Sequence, residues 1–206
     1  TQNENGLFYN GGLGWEPIEY ESSSTSDKFS GSFNGKGYKI KGLYINRPDE
    51  NYVGLFKNIY SYGEEDGNEI NIVNLILENP NITGNDYVGG IAGNIDAKSN
   101  MYLTNLQNLY IIGGNITGNN YVGGIAGNFR GGTYYNSQSN RINSLFNSSS
   151  ISASNYAGGL FGNVENTHDT SGMKVYIKNI INIGEVSSEG NASGLIGNVN
   201  MRNGNG

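Results

Sequence analysis

The stretch Tyr87-Val-Gly-Gly-Ile-Ala-Gly-Asn94 returns almost letter for letter as Tyr121-Val-Gly-Gly-Ile-Ala-Gly-Asn128. Looser copies stand at Tyr156-Ala-Gly-Gly-Leu-Phe-Gly-Asn163, at Asn191-Ala-Ser-Gly-Leu-Ile-Gly-Asn198 and, upstream, at Asn51-Tyr-Val-Gly-Leu-Phe-Lys-Asn58. Their closing asparagines lie 36, 34, 35 and 35 residues apart. So steady a period is the signature of a repeat array, in which each unit buries its apolar surface against the next.

The content of one period decides the kind of array. Ahead of the Gly-rich unit lies Asn81-Ile-Thr-Gly84 or Asn115-Ile-Thr-Gly118, with Ile151 and Val186 in the same register. Before that comes an apolar segment: Ile72-Val-Asn-Leu-Ile-Leu77, Leu106-Gln-Asn-Leu-Tyr-Ile111, Ile142-Asn-Ser-Leu-Phe146 and Ile177-Lys-Asn-Ile-Ile181. These segments are short, rich in β-branched and aromatic residues, and bounded by Asn and Gly, which are strand signals. A helical solenoid needs longer runs with apolar residues three and four apart and few glycines. The sequence therefore predicts an all-β, parallel β-helix, or β-solenoid, with three short strands per coil and repeats of about 35 residues. Residues 96–102 and 130–141 are expected to protrude as loops. Glycine permits tight corners and close backbone approach. Asn at a fixed coil position tolerates the left-handed region, and its amide can bond the identical amide above and below.

Composition narrows the partners. The chain has 206 residues, a net charge of −6, 33 glycines and 35 asparagines, with only 35% hydrophobic residues. An acidic balance with scattered Lys and Arg argues against nucleic acid and against an anionic membrane surface. No apolar run is long enough to span a bilayer as a helix. Cysteine is absent, which excludes disulfides and thiolate metal sites.

The chain reads as one continuous unit, 1–206: N-terminal coils or a cap over 1–50, five repeats over 51–199, and a short tail, 200–206. The lone Trp15, in Gly11-Gly-Leu-Gly-Trp-Glu-Pro-Ile18, belongs either to a first coil or to a cap over the apolar end. The tail follows a repeat without a distinct capping segment, so a monomeric piece of a longer protein is expected.

Several motifs together resemble a known family. They are Trp15-Glu-Pro-Ile18, then Phe29-Ser-Gly-Ser-Phe-Asn-Gly-Lys-Gly-Tyr-Lys-Ile-Lys-Gly-Leu43, then Asn46-Arg-Pro48 and Tyr52-Val-Gly-Leu-Phe56. With the later Tyr-Val-Gly-Gly-Ile-Ala-Gly units they are similar to the GLUG-motif repeats. Such repeats occur in large bacterial and archaeal surface adhesins, and in the non-catalytic N-terminal region of immunoglobulin A-cleaving metallopeptidases. Lys57 departs from the Gly of later units, and Asn191 and Ser193 from the Tyr and Gly of the middle ones. The resemblance implies right-handed winding and an extracellular, cell-surface location. It also implies a non-enzymatic role as adhesin stalk or ligand-binding region, with a glycan or protein ligand. An accessory, substrate-recognising region of an extracellular protease is the alternative.

Catalytic chemistry has little to stand on. His168 is the only histidine, so a His-Glu-x-x-His zinc site and a Ser-His-Asp triad both lack their parts. A glycosidase needs two converging carboxyls, whereas the recurring coil positions carry Asn, Gly and Tyr. Glu64, Glu65 and Asp66 form a candidate for calcium through oxygen ligands, and solvated loop charges are the alternative. No cofactor motif is found. Tyr87, Tyr121 and Tyr156 share one coil position and would form an aromatic ladder, serving either as a binding surface or as a strand-stabilising stack. Asn-x-Ser/Thr sequons stand at Asn81, Asn115, Asn147 and Asn191.

Overall fold

The computed structural model describes residues 8–19, 29–60, 70–97, 104–131, 140–166 and 175–201. Glu64, Glu65, Asp66 and His168 lie outside them, as do most of the two predicted loops.

The described chain winds as an all-β solenoid of parallel strands. One full coil comprises Ile70–Glu78, Asn81–Thr83, Asp86–Gly89 and Ala92–Ala97. The next comprises Thr104–Ile112, Asn115–Gly118, Asn120–Gly123 and Ala126–Gly131. Then come Asn140–Asn147, Ser150–Ala153, Tyr156–Gly158 and Phe161–Asn166. The last is Val175–Asn182, Val186–Ser188, Asn191–Ser193 and Ile196–Met201. Corresponding strands stack into four parallel sheets. A coil thus has four strands where the sequence suggests three, because the Gly-rich unit bends at Gly90-Ile91 and supplies a strand on either side.

In-register stacking turns the repeat into continuous apolar columns. Ile72, Leu106, Ile142 and Ile177 form one, and Leu75, Leu109, Leu145 and Ile180 another. Ile45, Ile82, Ile116, Ile151 and Val186 line the second sheet. Val53, Val88, Val122 and Ala157 line the third. In the fourth, Phe56, Ala92, Ala126, Phe161 and Ile196 lie beside Ile59, Ile95, Phe129, Val164 and Val199. In one coil side-chain sizes compensate across this pair, the small Ala126 standing beside the large Phe129.

The long strand carries a built-in phase shift. Ile70, Ile72, Leu75 and Leu77 are all buried, which strict alternation forbids. Asn74, at φ 56°, supplies the extra half-step, and Asn108, Ser144 and Asn179 repeat it at φ 54°, 58° and 52°. Asn is the side chain that tolerates this region best after Gly. Stacking adds an amide chain, with Asn108 Nδ2 donating to Asn74 Oδ1 at 2.8 Å and Asn74 Nδ2 to Asn34 Oδ1 at 3.1 Å. In the first coil two short strands, Ser32–Asn34 and Lys39–Lys41, share the same partner strand, Ile70–Glu78. Their Gly35-Lys36-Gly37 link accommodates the insertion with Lys36 and Gly37 at φ 52° and 77°.

The segment around Trp15 is a cap. It bridges the first coil antiparallel at Gly14–Ile45 and parallel at Ile18–Phe56, while Phe29 bridges Ile59. These contacts use the edge that faces away from the second coil. Trp15, Ile18 and Phe29 pack on the core there. In the last described coil, by contrast, no residue whose side chain is described is fully buried, and Ile183 and Val199 stand 70% and 51% exposed.

Glycine at one coil position is dictated by backbone proximity. A Cβ on Gly127 would run into the main chain of Tyr87 and Val88, and one on Gly162 into Tyr121 and Val122. Backbone cannot step aside as a flexible side chain does. At Gly194 nothing lies within 4 Å of the added atom. Gly127→Ala should therefore destabilise the fold by about 3 kcal/mol or more, and Gly194→Ala by less than about 0.5 kcal/mol. Denaturant midpoints measure both, and equal effects would contradict the packing.

Candidate functional site

Stacking brings Tyr87, Tyr121 and Tyr156 together as anticipated, and adds Tyr52. Ring centroids are 5.1 Å apart for Tyr52–Tyr87, 5.0 Å for Tyr87–Tyr121 and 4.9 Å for Tyr121–Tyr156. Interplanar angles are 6°, 14° and 6°. All four tyrosines are half-buried. The upstream copy Asn51-Tyr52-Val53 already carries the signal for the fourth member. Beyond Tyr156 the register partner is Asn191, which ends the ladder.

This geometry decides what the ladder can offer. Inner rings spend both faces on their neighbours, so a sugar cannot lie flat on them. Ring edges and a row of phenol groups about 5 Å apart remain. Burial raises the phenol of Tyr87 above its ordinary value. The neighbouring rings of Tyr52 and Tyr121 and the carboxylates of Glu165 and Asp86 push it the same way. Tyr121 is raised likewise, by burial first and then by Tyr156, Glu165 and Asp86.

Polar ladders flank the tyrosines. Asn128 donates to Asn94 at 2.9 Å, Asn163 to Asn128 at 2.8 Å and Asn198 to Asn163 at 2.7 Å, each amide to the identical one a coil before. Asp86 Oδ1 accepts from the side chains of Asn119 and Asn120 in the next coil, at 3.3 and 2.8 Å. On the fourth sheet Asp96, Arg130 and Glu165 are register partners. The guanidinium stands between the acids, 3.4 Å from Asp96 and 3.2 Å from Glu165. These carboxylates are thus held by a cation rather than poised as a proton-sharing pair.

The remaining candidates separate by burial. Asn147 is fully buried, with its amide given to Asn182 Oδ1 at 2.8 Å, whereas Asn81, Asn115 and Asn191 are exposed. Glu50 pairs with Arg47, and Glu78 with Lys39 and Lys41. Among the described residues no three His, Asp or Glu side chains converge as a metal site.

Known proteins share only parts of the chain. A Gly-rich membrane protein of Evansella cellulosilytica is 52% identical over 46 residues, which are 22% of this chain and 5% of that protein. Halomucin of Haloquadratum walsbyi is 38% identical over 85 residues, which are 41% of this chain and 1% of it. The chain therefore spans no more than a twentieth of either relative. No family model matches, and no solved structure matches.

The raised phenols give the ladder a pH signature. The folded state favours neutral Tyr87 and Tyr121, so their contribution is whole below the ordinary phenol value of about 10. It is lost as pH rises through the higher native values. Phenolate absorbance should show Tyr87 and Tyr121 ionising above the ordinary phenol value, with unfolding accompanying that late phase. Ionisation of all tyrosines in one step near the ordinary value would contradict the stack.

Proposed function

We propose that the chain is a non-enzymatic extracellular segment of a large microbial surface protein, in which the solenoid is a stiff stalk and the ladder face contacts a glycan or protein ligand. The observation that carries this reading is the half-exposed tyrosine column held on an in-register scaffold. Tyr52, Tyr87 and Tyr121 sit at φ 61°, 60° and 57°. That region costs a bulky residue about 1–2 kcal/mol each, against roughly 0.5–1.5 kcal/mol for each stacked pair. Over three strained residues and three stacked pairs the two terms are of similar size, so the column gains little net stability from stacking, and Asn would occupy these positions more cheaply. Strained aromatic residues kept in one column favour a role outside stability. The names of the two partly matching proteins, a membrane protein and a halomucin, each far longer than the aligned segment, favour a surface setting.

A ligand on this face meets ring edges and phenol groups flanked by amides, so hydrogen bonding rather than flat sugar stacking gives its affinity. A glycan array probed with the chain tests the reading. Retention of a glycan that falls about tenfold or more in Tyr121→Ala, without release of new reducing ends, is the expected result. Release of reducing ends that is abolished by Asp96→Asn would replace it with a polysaccharide-cleaving enzyme.

A further inference from the structure

We propose that the Tyr52–Tyr87–Tyr121–Tyr156 ladder is a site of oxidative cross-linking, at which phenols of successive coils are joined carbon to carbon when a peroxide-consuming, one-electron oxidant of the haem-peroxidase class acts on the protein. The proposal stands on the ring geometry and does not depend on the ladder binding a ligand.

Proximity is the first argument. Coupling two phenoxyl radicals in solution requires their encounter, whereas here each ring has its partner 4.9–5.1 Å away, within 14° of parallel. Holding reactants in this way makes a bimolecular step effectively unimolecular. The half-buried rings keep an edge in reach of solvent while their partners stay beside them. Register is the second argument. Neighbouring tyrosines occupy equivalent positions, so the same ring carbons of adjacent phenols face each other along the axis. The third is the absence of cysteine, whose thiol would otherwise reduce the phenoxyl radical before it meets a second phenol.

The chemistry balances without a group held by the protein. Each of two adjacent phenols loses an electron to the oxidant and a proton to solvent, giving a phenoxyl radical. The raised pKa values of Tyr87 and Tyr121 mean that both start as neutral phenols. The radicals combine through their ortho carbons. Each of those carbons then releases its hydrogen as a proton, and each oxygen regains one, which restores two phenols on a biaryl. In total two hydrogen atoms leave the protein, and one hydrogen peroxide becomes two waters. The product ties residues 34 or 35 apart in sequence, Tyr87 to Tyr121 or Tyr121 to Tyr156, and closes one coil on the next. A chain without disulfides thereby acquires a covalent staple whose effect on the unfolded state is of the same kind.

The experiment treats the purified full chain with a haem peroxidase and limiting hydrogen peroxide, then maps linked peptides by mass spectrometry. Tyr38, 76% exposed and without a ring neighbour among the described residues, is the internal control. The expected result is monomeric protein lighter by two hydrogens per link, with Tyr52–Tyr87, Tyr87–Tyr121 or Tyr121–Tyr156 peptides joined and the thermal midpoint raised. Tyr121→Phe keeps a ring in the stack but forms no phenoxyl radical, so it should leave Tyr52–Tyr87 as the one ladder link. The proposal fails if coupling follows exposure, giving dimers joined through Tyr38. It fails equally if the intramolecular links, in the natural chain or in Tyr121→Phe, join tyrosines outside the ladder.

Discussion

Parallel, in-register hydrogen bonding between successive coils is the constraint from which the other features follow. Each strand pairs with its equivalent one repeat away, about 4.8 Å along the axis. A residue type is therefore judged by what stands above and below it rather than by its neighbours in sequence. Ile72 requires an aliphatic residue at 106, and Asn94 is best met by Asn128. One change of register would misalign every column at once. The spacing of 34–36 residues between unit ends is the sequence's record of this requirement.

Stacking amplifies whatever is put in a column. Aliphatic columns add up to a dry core, amide columns to hydrogen-bonded chains, and tyrosines to a four-ring stack. Amplification also explains the handling of charge. A column of one sign would repel along its length, and the fourth sheet instead alternates Asp96, Arg130 and Glu165. The same effect explains the buried amide of Asn147, stacked on that of half-buried Asn182. Asn147 and Asn182 replace the Leu77 and Ile111 of earlier coils, and burying Asn147 is tolerable because it donates to Asn182 and accepts from Ser149.

Much of this was legible from letters alone, because a solenoid writes its contacts as periodicity. The parallel β architecture, the aliphatic columns and the tyrosine ladder all follow from aligning one period on the next. Features that depend on a single backbone torsion did not. The bend at Gly90-Ile91 divides what reads as one segment into two strands, and the left-handed Asn74 lets Ile72 and Leu75 share a face where alternation would separate them. Nor could spacing reveal that the inner rings stack face to face, which withdraws those faces from any ligand. Whether the Trp15 segment was a coil or a cap rested on its partner edge, which only the antiparallel bridge at Gly14–Ile45 discloses.

The central claim is that equivalent residues of successive repeats lie directly over one another, and a cysteine-free chain allows it to be tested cleanly. Thr117 and Ser152 are exposed register partners, while Ser187 lies one coil further on. Disulfides need Cα atoms roughly 4.4–6.8 Å apart, which one coil step satisfies and two do not. Under mild oxidation, Thr117→Cys combined with Ser152→Cys should close an intramolecular disulfide, and Thr117→Cys combined with Ser187→Cys should not. Closure of the second pair with failure of the first would contradict the stacked solenoid.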